Sequence, residues 1–294
     1  MSKKIELRGC YVAIVTPFNA DGSLNVSGLK SNIEFLIKGG VAGIVPCGTT
    51  GESATLSWDE HKTVVKIAVE QAAGRVQVIA GAGSNNTSEA VEAARYAKEV
   101  GADVIMSITP YYNKPTQEGL YRHFKAVADA VDIPMLVYNV PGRTGVNMLP
   151  ETVERLCDIP QIIAIKEASG NVTQISDIHR RCGDRLTVLS GDDGLTLPVL
   201  ACGGKGVVSV IGNIVPDKMS KMVDLYLKGD HAAALKLHEE LLPLSQIVFI
   251  ETNPVPVKEC MAEIGLASGP ARLPLAPMSD ANREKLLAVW KTYK

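Results

Sequence analysis

The sequence has no long hydrophobic run, which limits the classes of protein it can encode. No apolar stretch approaches the roughly 18 residues that a helix needs to cross a bilayer. The N-terminal residues Met1–Glu6 carry neither the apolar core nor the cleavage site of a secretory signal, and they lead directly into a predicted strand. We therefore expect a cytoplasmic protein without a membrane partner.

An excess of charge of one sign is also absent. The chain has 30 lysines and arginines against 32 aspartates and glutamates, for a formal net charge of −2. Its basic residues are scattered rather than clustered. Binding to nucleic acid or to an anionic membrane depends on a concentrated basic patch, so we expect neither partner.

The cysteines and histidines lack the spacing of a metal site. The five histidines include no H-E-x-x-H pattern, and no two cysteines form a C-x-x-C pair. Widely spaced cysteines of this kind are typical of reduced, mostly buried thiols in the cytosol. We predict no metal and no disulfide among the six cysteines, which are Cys10, Cys47, Cys157, Cys182, Cys202 and Cys260.

Short apolar runs rich in β-branched residues recur through the first two-thirds of the chain. Stretches with helical spacing separate them, which is the pattern of parallel strands covered by crossover helices. A chain of 294 residues is long enough to bury a sizeable core around such strands. The predicted strands are Tyr11–Val15, Gly43–Val45, Val76–Ala80, Val104–Ile108, Met135–Tyr138, Ile162–Lys166, Leu186–Leu189 and Val207–Val210.

Eight such units, ending near residue 228, favour a closed (β/α)₈ TIM barrel over an open doubly wound sheet. An open sheet usually carries a glycine-rich dinucleotide turn, and Gly81–Ser84 lacks its third glycine. From Asp230 the strand-like runs stop, and helices are predicted over 231–250, 255–264 and 280–293. We predict a catalytic barrel over residues 1–229 and a C-terminal helical domain over residues 230–294.

Lys166 is the strongest candidate for a catalytic residue, because the reactive groups of such barrels lie at the carboxyl ends of the strands. Side-chain alternation places Lys166 on the same strand face as Ala164, pointing into the barrel mouth. Burial of the ammonium lowers its pKa, and the neutral amine can attack a carbonyl. The alternative is a structural lysine that reaches the rim of the barrel or pairs with Glu167. Spacing alone does not decide between the nucleophile and this structural role.

Three further features at strand ends have both a functional and a structural interpretation. Tyr138 could shuttle protons to an imine, or it could be a core tyrosine with a satisfied hydroxyl. The loop Gly48–Gly51 offers hydroxyls and amides to a small carboxylate, or it is an ordinary turn. Arg143 could grip a second carboxylate, or it is a solvated loop arginine.

Together these motifs resemble the pyruvate-dependent class I aldolase family that contains dihydrodipicolinate synthase and N-acetylneuraminate lyase. The resemblance covers essentially the whole chain and rests on Pro46–Glu52, Tyr138–Gly145, Ile165–Gly170 and Asn253–Lys258. It implies that Lys166 is the Schiff-base lysine and that no cofactor is needed beyond this covalent bond to substrate pyruvate.

Within the family, two details resemble the dihydrodipicolinate synthase branch. Sialic acid lyases usually have serine in place of Thr49, and sugar-acid aldolases generally lack the arginine of Pro141–Gly145. This branch condenses pyruvate with L-aspartate 4-semialdehyde to 4-hydroxy-tetrahydrodipicolinate, the first committed step of diaminopimelate and lysine biosynthesis. The resemblance implies this lyase activity here, because Arg143 suits the carboxylate of the semialdehyde.

The resemblance also assigns roles to individual residues. Tyr138, Thr49 and Tyr112 would form a proton relay, with Tyr112 reaching in from a neighbouring subunit of a homotetramer built as a dimer of dimers. The residues that would bind substrate are Thr50, Arg143, Gly191 and Val208.

Some members of the family are inhibited by L-lysine at the dimer interface, and the chain has residues of suitable chemistry at the matching positions. Glu89 could neutralise the lysine ammonium, while Trp58 and His61 could enclose its aliphatic stem. Glu89 also fits a helix cap, so the structural interpretation stays open. The matching positions are Ser53, Ala54, Trp58, His61, Asn85, Glu89 and Tyr111.

Two other functions remain as alternatives. A related aldolase acting on a 2-keto-3-deoxy sugar acid would share Lys166, and Arg143 together with Thr50 argues against it. A non-catalytic barrel used as a scaffold or sensor would bind pyruvate without turnover. A phosphate-binding barrel is disfavoured because Gly203–Gly206 precedes the eighth strand rather than following it.

Overall fold

The computed structural model describes residues 5–294, and within them eight parallel strands close into a barrel. The strands pair in chain order, and β8 pairs back with β1. Residues 1–4 lie outside the described part. The predicted barrel domain includes them, and the prediction that the chain has no secretory signal rests partly on them. The strands are β1 (Gly9–Ala13), β2 (Gly43–Val45), β3 (Gln77–Gly81), β4 (Val104–Ile108), β5 (Met135–Asn139), β6 (Ile162–Glu167), β7 (Thr187–Ser190) and β8 (Gly206–Ser209).

Helices cover the outside of the barrel and connect successive strands. Their starts follow local sequence signals, as in α2, where the Ser57 hydroxyl accepts the Glu60 amide and the Glu60 carboxylate accepts the Ser57 amide. Within residues 5–294, no helix is long and apolar enough to cross a membrane. The helices up to residue 229 are α1 (Val26–Lys38), α2 (Trp58–Ala72), α3 (Thr87–Glu99), α4 (Gln117–Ala130), α5 (Pro141–Thr144), α6 (Pro150–Leu156), α7 (Val172–Cys182), α8 (Thr196–Ala201) and α9 (Pro216–Leu227).

The strands are buried on both faces, which explains why they are almost continuously apolar in the sequence. Outward-facing side chains such as Ile165 and Val188 pack against the helices in the larger core cluster. Inward-facing side chains such as Tyr11, Leu136 and Leu189 fill the barrel interior in a second cluster. The interior is therefore a packed core, and the space for a ligand lies at the ends of the strands.

The predicted closed barrel is confirmed, and most strand boundaries lie within one residue of the prediction. The first strand is the exception, because it covers Gly9–Ala13 rather than Tyr11–Val15. The amide of Val15 donates to the side-chain oxygen of Asn213 at 3.1 Å, which takes it out of the strand ladder. A distant asparagine therefore ends the strand early, and the apolar run could not indicate this.

Three helices follow the barrel, as predicted, although each ends one to three residues earlier than expected. They are α10 (His231–Ile247), α11 (Val255–Glu263) and α12 (Asp280–Trp290). Helix α10 packs on α9 of the barrel, and α12 packs on α10 and α11. Gly229, with φ of 91°, lies at the predicted boundary between 1–229 and 230–294. The division into two domains remains a proposal, since the two parts are packed together.

Candidate functional site

Lys166 lies at the carboxyl end of β6 and is only 5% exposed. In the strand register it stands between Tyr138 on β5 and Leu189 on β7. Burial lowers the pKa of Lys166 to about 7, with the charge of Arg143 acting in the same direction and that of Asp193 acting against both. Near neutral pH, Lys166 is therefore a neutral, nucleophilic amine in a substantial fraction of the molecules.

Glu167 does not serve as a counter-ion for Lys166, because successive side chains face opposite sides of the strand. Its carboxylate accepts the Ser169 amide at 2.6 Å and the Asn139 side-chain amide at 3.0 Å. Burial raises the pKa of this carboxyl, and these hydrogen bonds act against the rise. Lys166 is thus neither at the rim nor paired with its neighbour.

Tyr138 places its aromatic ring against the lysine. The Nζ of Lys166 lies 4.0 Å from the centre of the Tyr138 ring. Burial raises the pKa of Tyr138 to about 12, while the charge of Arg143 and a hydrogen bond with Thr49 reduce the rise. The phenol is therefore protonated at neutral pH, and it can donate to an oxygen or nitrogen that forms on the lysine.

The loop after β2 brings two hydroxyl groups to this end of the barrel. The amides of Gly51 and Glu52 donate to the carbonyls of Gly48 and Thr49 at 3.1 and 3.0 Å, which folds the loop into a tight turn. Thr50 is buried, and its hydroxyl accepts a hydrogen bond at 3.0 Å from the side-chain amide of Asn253, 203 residues away in the chain.

Gly191, at the end of β7, packs against the lysine. Its amide donates to the Glu167 carbonyl at 2.8 Å. A Cβ at this position would lie 2.7 Å from the Cβ of Ala168 and 3.2 Å from the Cε of Lys166. Glycine is therefore required by the close approach of two strand ends. Val208 of β8 is 1% exposed and belongs to the barrel interior.

Arg143 and Tyr112 differ in how the structure places them. Arg143 lies on the short helix α5, is exposed, and lines the cavity at the barrel mouth. Tyr112 is 89% exposed, has a left-handed φ of 70°, and does not line this cavity. Among the predicted catalytic residues, Tyr112 is thus the one that this chain does not bring to Lys166.

A cavity of about 470 Å³ opens beside the threonine loop and contains Thr49 and Arg143 in its lining. Lys166 and Tyr138 do not line it, but Thr49, which lowers the pKa of Tyr138, does and so connects the cavity to the neighbourhood of Lys166. Six of the seven residues predicted to bind L-lysine line the same cavity: Ser53, Ala54, Trp58, His61, Glu89 and Tyr111. The seventh, Asn85, donates from its side chain to the Tyr111 carbonyl at 3.1 Å.

The cavity's aromatic and acidic groups have defined local partners. Trp58 and His61 are in edge-to-face contact, with ring centres 5.6 Å apart. Burial lowers the pKa of His61 to about 4, so the imidazole is neutral at pH 7. The carboxylate of Glu89 accepts the Ser84 hydroxyl at 2.7 Å. The cavity lining therefore combines a carboxylate with aromatic rings.

Two polar residues near the site were not assigned by the sequence analysis. Asp193 is buried, and its Oδ2 accepts the amides of Val210 and Ile211 at 2.8 and 3.1 Å. Asn253 holds Thr50 through the hydrogen bond described above. Both belong to conspicuous sequence segments, Ser190–Asp193 and Asn253–Lys258, but their partners are distant in the chain. Within residues 5–294, no group of three or more histidine, cysteine or acidic side chains is placed to hold a metal ion.

A closed parallel barrel with a buried lysine at the end of its sixth strand, beside a protonated tyrosine, defines the class I aldolase type of barrel enzyme. Comparison with known proteins agrees with this class. The chain matches the dihydrodipicolinate synthetase family over residues 6–292 and belongs to it. The family predicted from the sequence is confirmed.

Three relatives show how close the similarity is. The 4-hydroxy-tetrahydrodipicolinate synthase of Syntrophobacter fumaroxidans is 58% identical over 280 residues, which cover 95% of this chain and 96% of the relative. A crystal structure of the Acinetobacter baumannii dihydrodipicolinate synthase complexed with pyruvate has 42% identity and a TM-score of 0.95, and the match covers 97% of this chain and 98% of the other. The Cyanidioschyzon merolae enzyme with lysine bound has 39% identity and a TM-score of 0.93, covering 96% of each chain.

Proposed function

We propose that the chain is a lyase that condenses pyruvate with L-aspartate 4-semialdehyde to 4-hydroxy-tetrahydrodipicolinate, in diaminopimelate and lysine biosynthesis. The observation that carries this function is the buried amine of Lys166, with a pKa of about 7, against the ring of Tyr138. The names of the relatives, at up to 58% identity over nearly the whole chain, agree with it.

The reaction begins when the neutral Nζ of Lys166 attacks the ketone carbon of pyruvate. Loss of water gives an iminium ion, whose positive charge withdraws electrons from the methyl group. The methyl group loses a proton, and the resulting enamine carbon attacks the aldehyde carbon of the semialdehyde. The amine of the semialdehyde then displaces Lys166 from the former ketone carbon, which closes the six-membered ring and regenerates the free enzyme.

Protons enter and leave through Tyr138 and Thr49, whose hydroxyl is close enough to Tyr138 to lower the pKa of the phenol. The relay continues to Tyr112 of a second subunit, because within one chain Tyr112 projects into solvent. An exposed tyrosine in a left-handed conformation suits a residue that an interface holds in place. We therefore infer an oligomeric enzyme, a homotetramer of tight dimers, in which Tyr112 completes the site of its partner.

The substrate carboxylates meet two different groups. The pyruvate carboxylate is held by Thr50 and the backbone amides of the threonine loop, against Gly191 and Val208. Arg143, exposed at the cavity mouth, receives the carboxylate of the semialdehyde, for which a guanidinium fork is well matched. A sugar acid would instead need hydroxyl partners at this position.

The enzyme is regulated by L-lysine in the cavity lined by Trp58, His61 and Glu89. The Glu89 carboxylate pairs with a ligand ammonium, and the neutral His61 packs with Trp58 along the aliphatic stem. The lysine-bound relative from Cyanidioschyzon merolae supports this proposal. A cytoplasmic location is also proposed, because the six cysteines are free thiols and suit a reducing compartment.

The function is tested by a coupled assay with pyruvate and L-aspartate 4-semialdehyde, in which an added reductase consumes the product with NADPH. We expect turnover by the wild type, none by Lys166→Ala, and wild-type turnover by the control Lys221→Ala on the exposed face of α9. Borohydride should trap pyruvate on Lys166. Trapping without turnover would assign the chain to a sugar-acid substrate, and absence of trapping would refute Schiff-base chemistry.

A further inference from the structure

The loop that carries Thr49 and Thr50 ends at Glu52, whose backbone is left-handed with φ of 53°. Residues other than glycine rarely adopt this conformation, so surrounding contacts must hold Glu52 in it. The Glu52 amide donates to the Thr49 carbonyl at 3.0 Å and closes the turn. The conformation of Glu52 and the position of Thr49 are therefore fixed together.

The carboxylate of Glu52 is buried, and both of its oxygens bond to the C-terminal part of the chain. Its Oε1 accepts the ammonium of Lys258 at 2.6 Å, and its Oε2 accepts the amide of Arg272 at 2.9 Å. The side chains of Glu52 and Lys258 are only 1% and 4% exposed. The ammonium also donates to the Pro270 carbonyl at 3.0 Å. Each charge thus has its partner inside the protein.

The C-terminal segment makes two more contacts with loops at this end of the barrel. The Nζ of Lys258 lies 4.7 Å from the ring centre of Phe18, in the loop after β1. Asn253, five residues before Lys258 in the chain, donates from its side-chain amide to the Thr50 hydroxyl. The C-terminal segment therefore holds the loop at two points, at Glu52 through an ion pair and at Thr50 through a hydrogen bond.

A buried ion pair is a weak source of stability, because desolvation of both charges offsets their attraction. What it can supply is one defined geometry, since a buried carboxylate has few other partners. We propose that Glu52 and Lys258 are positioning residues, whose ion pair holds Thr49 against Tyr138 in the arrangement that moves protons to and from the imine on Lys166. The inference rests on the proposed function, because the relay is part of it.

The test removes both charges together, so that no unpaired charge is left buried. The double variant Glu52→Gln/Lys258→Met is compared with the wild type and with Lys218→Met/Glu240→Gln. This control removes an ion pair of the same 2.6 Å length that lies between α9 and α10, where the side chains are 33% and 44% exposed. Three quantities are measured: borohydride trapping of saturating pyruvate, kcat and KM, and exchange of pyruvate methyl protons in D₂O by NMR.

We expect the buried-pair variant to trap pyruvate to the wild-type extent. Its kcat and methyl-proton exchange should fall by about 10- to 100-fold, with a smaller change in KM for pyruvate, because small displacements of a catalytic group are costly. The control should stay within about two-fold of the wild type. Wild-type kcat and exchange in the buried-pair variant would refute the proposal. The proposal would also be refuted if kcat and exchange returned to wild-type values at a temperature at which both proteins are fully folded, because the loss would then reflect unfolding.

If the double variant does not fold, Lys258→Arg takes its place. This substitution keeps the positive charge opposite Glu52 but changes its position. A several-fold loss of proton exchange with intact trapping supports positioning, and unchanged exchange contradicts it. The two proposals fail separately. A wild-type protein that does not trap pyruvate refutes the proposed function itself, whereas trapping with unchanged variants refutes only the role of Glu52 and Lys258.

Discussion

The Nζ of Lys166 lies 4.0 Å from the centre of the Tyr138 ring, and the two residues are direct register partners on neighbouring strands. Because β5 and β6 are hydrogen-bonded to each other, this separation is set by the barrel rather than by flexible loops. The lysine and the phenol are held in place before any substrate binds, which is the condition for efficient proton transfer.

Replacing Tyr138 with phenylalanine removes the hydroxyl and keeps the ring that packs on Lys166. We expect kcat to fall about 100-fold or more, the usual range for loss of a positioned acid–base group. Pyruvate should still be trapped on Lys166, more slowly. The matched control is Tyr11→Phe in the same barrel interior, whose hydroxyl bonds to Gln77. Equal effects of the two variants would argue against a catalytic role for Tyr138.

The pKa of Lys166, lowered to about 7 by burial, makes protein stability depend on pH. An unfolded lysine has a pKa of about 10.4, so between pH 7 and 10 the unfolded chain binds a proton that the native chain does not. Raising the pH in this window therefore stabilises the native state. We expect the free energy of unfolding of the wild type to rise relative to that of Lys166→Met, and urea titrations at several pH values measure it. A difference that is constant with pH would contradict the lowered pKa.

Gly191→Ala should disable the site without unfolding the protein. The added methyl group would approach the Cε of Lys166 to 3.2 Å and Ala168 more closely still. We expect at least a ten-fold loss of pyruvate trapping, because displacement of the lysine changes the angle of attack. Gly194→Ala, three residues on, has no neighbour nearer than 3.4 Å and serves as the control. Full trapping by Gly191→Ala would show that the lysine does not need this space.

Glu89→Gln tests the proposed lysine site. We expect L-lysine to inhibit the wild type and the variant to require at least ten-fold more of it, because the carboxylate that pairs with the ligand ammonium is lost. Glu92→Gln, on the same helix, changes an exposed carboxylate and should leave inhibition unchanged. The measurement is the concentration of L-lysine that halves the initial rate. A flat response of the wild type to L-lysine would refute the site.

Mixing experiments test the exchange of Tyr112 between subunits. Lys166→Ala and Tyr112→Phe are each expected to have low activity, but a mixed dimer contains one site with both native groups. Dissociating and reassociating the two variants together should therefore restore part of the activity. Lys166→Ala mixed with Tyr138→Phe should restore none, because these two residues act in the same chain. Absence of rescue in the first mixture would place Tyr112 outside the relay.

The fold and the position of Lys166 could be predicted from the sequence, because both follow from local periodicity. Alternating faces on a strand point Lys166 into the barrel mouth, and eight apolar runs with crossover spacing predict closure. The predicted reaction agrees with the names of the relatives. Contacts between segments far apart in the chain could not be predicted in this way. Asn213 ends β1, and Asn253 holds Thr50, in each case across about 200 residues.

Tyr112 shows a second limit of the sequence. The family resemblance implies a role for Tyr112 in the relay, but one chain leaves it 89% exposed. The predicted tetramer therefore depends on a contact between chains, and neither periodicity nor the fold of one subunit contains that information. The roles of Lys166 and Tyr138 are predictions that Lys166→Ala and Tyr138→Phe test.

The bond between Asn253 and Thr50 and the ion pair between Lys258 and Glu52 have a consequence for synthesis on the ribosome. The threonine loop leaves the exit tunnel about 200 residues before the groups that hold it. During most of translation the nascent chain therefore has the hydroxyls of the threonine loop but lacks the two contacts that hold them. We therefore expect the threonine loop to reach its native arrangement late, when the segment around residues 253–272 has emerged and docked.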